Sequence, residues 1–332
     1  MSAAEEMPPI APPVRDWLRR GAEISAGLPD LASDEWPRHR RAARLLSDEL
    51  AIEFTDPVPL GVRIDDLQVE GGDGPLRARR FRRSDATGPL PTMLWLHGGG
   101  WIGGTIDETL NDRTGADRAL RSGVQIVSLE YRLTPEHPFP APVEDATAAL
   151  ADLRTRSDEL GVDVARLGIG GNSAGATVAA TAALRERDAG RPLHHQALEV
   201  LPAALRPVGA SIDRYRRASG LEGADALVEL YRAGAPLEDS SPLDAPVHRG
   251  LAPALILAAE FDPLRDGAVA YAQALREADV PVELHVLPGH VHGSPGLTAR
   301  WQGARDWRDV FADGLARAYA GTAPADAPEL PA

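Results

Sequence analysis

The sequence contains neither lysine nor cysteine, and all 35 of its basic residues are arginine. Without lysine the chain cannot supply the amine that a P-loop NTPase, a protein kinase, a pyridoxal phosphate enzyme, a Schiff-base aldolase or a serine–lysine hydrolase requires. Without cysteine it has no thiol nucleophile, disulfide, iron–sulfur cluster or cysteine-ligated zinc. These classes of protein and site are therefore excluded.

The chain also has little positive charge: 49 acidic residues against 35 basic ones give a net charge of −14. This charge repels nucleic acid and anionic lipid, so neither is expected as a partner. The first residues, MSAAEEMPPI, are acidic and proline-rich where a secretory signal is basic and then apolar, which predicts a cytoplasmic protein. The longest apolar run, around 251–261, contains a proline and is far shorter than the roughly 20 residues that span a bilayer.

The length of 332 residues and the 43% hydrophobic content suit one large α/β domain or two small ones. The first 55 residues predict two helices, about 14–27 and 35–54, before any strand. Two strand-like runs follow at 62–69 and 76–83. The glycine-rich segment 71–74 between them predicts a hairpin turn.

From residue 92 onward, apolar runs alternate with helix-periodic segments. The predicted strands are 92–96, 124–129, 167–169, 198–201, 254–258 and 282–287. The predicted helices are 107–121, 142–160, 174–188, 266–278 and 298–319. This alternation predicts an α/β fold with a mostly parallel central sheet, helices on both faces and ligands at the carboxyl ends of the strands. Between Pro202 and Pro242 the chain is too long for a simple crossover, which predicts an insertion above the sheet with a short helix at 224–232.

The sharpest local motif is GNSAG at 171–175, which follows an apolar strand and precedes an alanine-rich helix. This is the G-x-S-x-G turn that lifts a nucleophilic serine above the sheet, and its flanking glycines are required because the chain passes close to itself. The alternative is a dinucleotide-binding turn that begins at Gly168. That motif requires glycine where Ser173 stands.

A second motif, HGGGW at 97–101, ends the strand 92–96. Consecutive glycines let backbone N–H groups approach a ligand closely. The amides of Gly99, Gly100 and Ala174 are therefore candidate donors to the oxyanion that forms when a serine attacks an ester. His97 precedes the serine, against the expected order of serine, acid and histidine, so its predicted role is to brace the glycine loop.

The base that activates the serine is expected after it in the sequence, at another strand end. The segment 283–293 offers three histidines. His285 alternates within a strand and is interpreted as a packing residue, whereas His290 and His292 lie on the following loop. A metal pair formed by His290 and His292 is an alternative, but no third ligand lies nearby in sequence.

The acid is expected at the preceding strand end, where EFDPLRD at 260–266 supplies three carboxylates. Asp262 lies on the loop before a proline and is favoured. Asp266 is placed to cap the next helix, and Glu260 ranks between Asp262 and Asp266 as a candidate for the acid.

Six segments occur in a characteristic order: HGGGW at 97, YRLTPEHPFPAPVEDA at 131, GNSAG at 171, SPLDA at 241, EFDPLRD at 260 and PGHVHG at 288. Together they resemble the hormone-sensitive-lipase family of α/β-hydrolases, including its bacterial esterases. The resemblance implies a catalytic triad of Ser173, Asp262 and His292 and oxyanion donors at Gly99, Gly100 and Ala174. It implies a single α/β-hydrolase domain over 1–332, with a cap from about 1–55 and 203–240 and a catalytic core from about 60–202 and 241–319.

Three departures from the family pattern stand out. Asn172 replaces the usual aspartate beside the serine, which removes a charge there. Ser294 replaces the usual aromatic residue after the base, which predicts a missing wall of the acyl pocket. The cap insertion is rich in arginines, which are interpreted as solvated helix faces or as contacts to an acidic substrate; they are Arg214, Arg216, Arg217 and Arg232.

The sequence thus predicts a serine carboxylester hydrolase that acts on small or short-acyl esters through an acyl-enzyme and needs no cofactor or metal. Amide or lactone hydrolysis is an alternative. A non-hydrolytic ligand-binding or dehydratase-like protein on the same scaffold is another. The family resemblance further implies a homodimer paired through the strand 282–287.

Overall fold

The computed structural model describes residues 9–216 and 223–320. Within this part, eight strands form one sheet; their bounds are β1 Val62–Gly71, β2 Gly74–Arg83, β3 Leu90–Leu96, β4 Gln125–Leu129, β5 Val162–Asn172, β6 Gln196–Glu199, β7 Ala254–Ala259 and β8 Val282–Leu287. The helices are α1 Pro12–Ala26, α2 Trp36–Phe54, α3 Thr109–Ser122, α4 Ala141–Thr155, α5 Ser157–Leu160, α6 Ala174–Asp188, α7 Ser211–Tyr215, α8 Ala224–Arg232, α9 Leu237–Ser240, α10 Arg265–Glu277 and α11 Gln302–Ala320.

The strand order is β1-β2-β4-β3-β5-β6-β7-β8. The first two strands form the predicted antiparallel hairpin, with Gly71 opposite Gly74, and β2 pairs antiparallel with β4. All other neighbours are parallel. The predicted α/β fold with a mostly parallel sheet is therefore confirmed.

Helices cover both faces of the sheet. One face packs against α4, α6 and α10, and the other packs against α3 and α11. Strands β4 and β7 are buried at every position, which is why their sequences, QIVSL and ALILAA, read as nearly unbroken apolar runs. Burying each leucine of these strands contributes about 1.5–3 kcal/mol to the free energy of folding.

Strands β5 and β6 differ from their predicted bounds at both ends. Strand β6 ends at Glu199 rather than Leu201, because Val200 has φ 44° and turns out of the extended conformation. Strand β5 begins at Val162 rather than Leu167. Its first half is partly exposed and polar, and its register with β3 shifts between Leu90 and Thr92, so the apolar pattern does not reveal it.

Apart from the two faces of the sheet, a separate hydrophobic cluster joins the N-terminal helices, the insertion, the loops after β7 and β8 and the start of α11. It contains Ile10, Val14, Phe54, Tyr215, Phe261, Val291, Leu297 and Ala304. The predicted cap segments extend beyond the described residues at 1–8 and 217–222. No helix in the described ranges combines the length and the apolar character needed to cross a membrane.

Candidate active site

Ser173 occupies a strained turn between β5 and α6. Its φ of 51° and ψ of −126° lie outside the regions favoured by L-residues. A Cβ at Gly171 would lie 2.5 Å from the carbonyl carbon of Gly175, and a Cβ at Gly175 would lie 2.1 Å from the oxygen of Leu96. Both positions therefore require glycine, as the motif predicts.

The structure brings Ser173, His292 and Asp262 together at the carboxyl ends of β5, β8 and β7. The Ser173 hydroxyl lies 2.8 Å from Nε2 of His292, and Nδ1 of His292 lies 2.8 Å from Oδ2 of Asp262. Asp262 is buried, and its Oδ1 accepts from the amide of Leu264 at 2.9 Å. In this arrangement the hydroxyl donates to the imidazole, which donates to the carboxylate. Such a chain can withdraw the serine proton.

Two opposing effects act on the pKa of His292. Burial lowers it, whereas the negative charge of Asp262 and the hydrogen bond to it raise it, and the two effects of Asp262 prevail. The pKa of His292 is therefore above its ordinary value.

The other carboxylates of 260–266 have other partners. Glu260 accepts from the amide of Gly289 at 2.7 Å. Asp266 accepts from the amide of Ser211 at 2.9 Å and pairs with Arg265. The expectation that Asp266 caps α10 is wrong, because that helix begins at Arg265 with Leu264 as its N-cap, so Asp266 lies within its first turn. Asp266 instead ties the insertion to the core.

His290 is held by hydrogen bonds at both ring nitrogens. Its Nδ1 lies 2.9 Å from Ser294 Oγ, and its Nε2 lies 3.1 Å from the oxygen of Gly303. Burial lowers the pKa of His290 to about 4. Because both nitrogens of the neutral ring contact protein groups, neither is free to bind a metal, which contradicts the alternative of a metal pair with His292.

Ser294, at the position where a missing pocket wall is predicted, does not line the cavity. It is fully buried, and its hydroxyl also accepts from the amide of Val291 at 3.0 Å. The neighbouring residues Gly293, Pro295 and Gly296 line the cavity instead. His285, the third histidine, lies on β8 and contacts Glu283 at 2.7 Å.

The glycine loop lies beside the serine. A Cβ at Gly98 would lie 3.4 Å from the Cβ of Ser173. Gly99 and Gly100 have φ values of 125° and 61°. Within the described residues, the amides of Gly99, Gly100 and Ala174 donate to no protein group, so these donors remain available to a ligand.

His97 lies beneath this loop rather than in the site. It is fully buried, its Nδ1 lies 2.8 Å from the oxygen of Gly98, and its ring stacks on Tyr131. Burial lowers the pKa of His97, which keeps the ring neutral. This geometry matches the bracing role predicted for His97.

A cavity of about 280 Å³ opens next to Ser173, His292, Gly99 and Asn172. Sequence reasoning did not find the charged side chains in its walls, since they lie outside the motifs, on helices, on loops and at the end of β6. They are Asp56, Glu108, Arg113, Asp117, Arg118, Glu199 and Arg308. A usable signal is the spacing of polar residues along α3, where an apolar face is normal.

The arginines of the insertion that the structure describes do not line this cavity. Arg216 pairs with Asp225 at 2.6 Å, and Arg232 lies 3.4 Å from Glu229. Arg214 lies over the ring of Tyr215. Arg217 lies outside the described residues. Of the described arginines, only Arg214 is exposed, as expected of a solvated helix face; the side chains of Arg216 and Arg232 are 24% and 17% exposed, and none of the three contacts the cavity.

Comparison with known proteins identifies the family. A family model described as alpha/beta hydrolase fold matches residues 93–295. The chain belongs to the α/β-hydrolase family. Esterase LipI of Mycobacterium tuberculosis is 34% identical over 72% of this chain and 77% of LipI. Carboxylic ester hydrolase LipN of the same organism is 37% identical over 70% of this chain and 64% of LipN.

Solved structures agree with this assignment. The crystal structure of an alpha/beta hydrolase enzyme from the metagenome of Lake Arreo, Spain, has a TM-score of 0.84 and 32% identity, and it covers 94% of this chain and 99% of that one. Among α/β-hydrolases, the named esterase relatives place the chain in the hormone-sensitive-lipase branch, as the six sequence segments predict. This α/β-hydrolase is a carboxylesterase-type enzyme.

Proposed function

We propose that this α/β-hydrolase cleaves small or short-acyl carboxylic esters through an acyl-enzyme formed on Ser173. The observation that supports this proposal best is the continuous hydrogen-bonded chain from Ser173 through His292 to the buried Asp262, at 2.8 Å for each contact. The esterase names of the relatives support the same reaction class.

In the proposed mechanism, Ser173 Oγ attacks the ester carbonyl while Nε2 of His292 takes its proton. His292 then donates that proton to the leaving alcohol, and a water deprotonated by His292 cleaves the acyl-enzyme. Asp262 fixes the imidazole tautomer with the proton on Nδ1 and stabilises the imidazolium that forms in each step.

The amides of Gly99, Gly100 and Ala174 are proposed to bind the oxyanion. Three features support this role: the glycine loop lies beside Ser173, Ala174 is the first residue of α6, and none of the three amides has a described protein acceptor. Fixed donors of this kind cost no reorganisation when the negative charge develops. The first-turn position of Ala174 adds the favourable end of the helix dipole.

We further propose that the segments 1–55 and 203–240 form the cap over the site, with the catalytic core in 60–202 and 241–319. The contacts of Tyr215 with Phe261, and of Tyr231 with Trp101 of the glycine loop, support this division. The cavity of about 280 Å³ supports a small ester as substrate.

Replacing Ser173 by alanine tests the mechanism. We expect kcat for p-nitrophenyl butyrate to fall by about four to six powers of ten, because the nucleophile is lost. The melting temperature should stay close to that of the wild type, since Ser173 contributes a hydroxyl to the site rather than to the core. Substantial activity in the folded variant would refute the mechanism.

A fluorophosphonate probe distinguishes the hydrolase from a non-hydrolytic binding protein on the same scaffold. We expect the probe to label the wild type at Ser173, because the activated hydroxyl attacks phosphorus as it attacks carbon. The alanine variant should stay unlabelled. An unlabelled wild type that still binds a small ester would favour the binding protein.

Other sequence-based predictions remain predictions. These are the cytoplasmic location, the homodimer paired through β8, the cleavage of amides or lactones, and activity without a metal. For the last, we expect kcat/KM to be unchanged by chelator, because the proposed steps use only protein groups and water.

A further inference from the structure

The cavity beside Ser173 has an unusual helical wall. Helix α3 contributes six residues to the cavity wall; they are Leu110, Asn111, Arg113, Thr114, Asp117 and Arg118. A helix face turned toward the interior is normally apolar, whereas five of these six residues are polar. The polar side chains of this wall therefore help to determine which substrates can bind in the cavity.

Two of the three arginines in the cavity walls are neutralised by carboxylates. Arg118 donates to Glu199 and lies over the ring of Trp95, 4.0 Å from its centre. Arg308 pairs with Asp56 at 3.0 Å. The positive charges of Arg118 and Arg308 are therefore neutralised by these neighbouring carboxylates.

Arg113 differs from both. Its Nη1 donates to the carbonyl oxygens of Ala51 at 2.6 Å and Thr55 at 2.7 Å, at the end of α2. No carboxylate of the described residues lies within 4 Å of Arg113, and its Nε and Nη2 donate to no group there. The guanidinium is thus anchored by one nitrogen, and the Nε–Nη2 edge, which binds carboxylates through two parallel hydrogen bonds, is unused.

The acidic residues of the cavity do not neutralise Arg113. Asp117 accepts from Arg121 at 2.9 Å and lies 4.0 Å from Arg308. Burial raises the pKa of Glu108 to about 7, so this carboxyl is only partly ionised at neutral pH. Arg113 is therefore the wall arginine whose positive charge is left without a carboxylate partner in the described part of the chain.

We propose that Arg113 binds a carboxylate at the far end of the acyl chain, which makes monoesters of dicarboxylic acids a substrate class of this enzyme. This inference rests on the proposed function, because the ester carbonyl must reach Ser173 while the distal carboxylate reaches Arg113. The acyl part then bridges the cavity, with an electrostatic contact at one end and the reacting carbon at the other.

Monoethyl adipate and ethyl hexanoate test this inference, because their acyl chains have six carbons and differ in the distal carboxylate. The readout is the ratio of kcat/KM for the adipate to kcat/KM for the hexanoate, measured by ethanol release. In Arg113→Gln we expect this ratio to fall at least about tenfold, because the charge-assisted hydrogen bonds are lost. Arg113→Lys, which keeps the charge, should retain part of the ratio.

Arg300→Gln is the matched control. Arg300 also donates to a carbonyl near the end of α2, from Nε to the oxygen of Glu53 at 3.1 Å, but it does not line the cavity. We expect the ratio in this variant to stay within about twofold of the wild type, since only the anchoring of α2 changes.

The outcomes separate this inference from the proposed function. If the wild type hydrolyses ethyl hexanoate and Arg113→Gln leaves the ratio unchanged, the role of Arg113 is refuted while ester hydrolysis stands. An equal fall of the ratio in both arginine variants also refutes it. If neither ester is hydrolysed in a Ser173-dependent way, the proposed function fails with it.

Discussion

At the scale of single residues, the pKa of His292 determines how the proposed activity depends on pH. The base must be neutral to accept the proton of Ser173, so kcat/KM should rise with pH through the pKa of His292. Because Asp262 raises this pKa above its ordinary value of 6.5, we expect the midpoint of the rise to lie above pH 6.5. A pH profile of kcat/KM from pH 5 to 9 measures it.

Asp262→Asn should change both the rate and the position of this rise. We expect kcat to fall by about four powers of ten, because the amide favours the wrong tautomer of His292. With the negative charge gone, burial is left to act on the imidazole, so the midpoint should move to lower pH. A midpoint that stayed in place would show that the rise belongs to another group.

Ser294 is expected to support the loop that carries His292. In Ser294→Ala, the buried Nδ1 of His290 and the amide of Val291 both lose their partner. We therefore expect a loss of about 1–3 kcal/mol in the free energy of unfolding, measured by urea denaturation.

Ser84→Ala is the control for Ser294→Ala, because Ser84 is exposed at the end of β2. Its free energy of unfolding should change by less than about 0.5 kcal/mol. If the two variants are equally stable, the hydrogen bonds of Ser294 do not support the loop.

The residues of the site differ in how far the sequence predicts them. Ser173, His292 and Asp262 are predictable, because each follows a strand and the carboxyl ends of parallel strands meet at one edge. The partner of Asp266, by contrast, is Ser211, 55 residues away in a segment without a recognisable pattern. The position of Arg113 is equally hard to predict from the sequence, because its partners are backbone carbonyls, which every residue has.

At the scale of elements, the close packing of α6 against β3 leaves no room at Gly175. Its Cβ would lie 2.1 Å from a backbone oxygen that cannot move without moving the strand. We expect Gly175→Ala to cost about 3 kcal/mol or more in the free energy of unfolding and to abolish activity with p-nitrophenyl butyrate. Urea denaturation and initial rates measure the two effects.

Gly223→Ala provides the comparison for Gly175→Ala. Gly223 precedes α8 with φ −89°, and an added Cβ there meets no atom within 4 Å. Because Gly223 is the N-cap of α8, where alanine is less favourable than glycine, its substitution should cost no more than about 1 kcal/mol in the free energy of unfolding. Comparable losses in the two variants would show that the close contact at Gly175 is not responsible.

The predicted bounds of an element are accurate where its sequence pattern starts and stops sharply, and wrong where the pattern continues across a break in the element. Strand β8 and helices α6 and α8 have the predicted bounds, because their sequence patterns start and stop sharply. The predicted helix 142–160 is instead two helices, α4 and α5, that meet at Arg156. The apolar period continues across this break, so periodicity alone cannot reveal it.

At the scale of the whole molecule, α1 contacts the loop that follows His292. Val14 is completely buried in the cluster with Val291 and Leu297, and a Cβ at Gly293 would lie 2.5 Å from the ring of Trp17. The N-terminal helix and the site are therefore expected to be coupled through packing, although α1 supplies none of the proposed catalytic groups.

Val14→Asp tests this coupling, because a carboxylate in the cluster has no partner and opposes the docking of α1. We expect faster amide hydrogen exchange both in α1 and in residues 291–297, together with a lower kcat/KM. In Ile52→Asp, on the exposed side of α2 at 64% exposure, exchange in both segments should match the wild type. If Val14→Asp accelerates exchange in α1 while 291–297 and kcat/KM remain at wild-type values, the loop holds its geometry without the helix. The proposed cap would then act only as a cover.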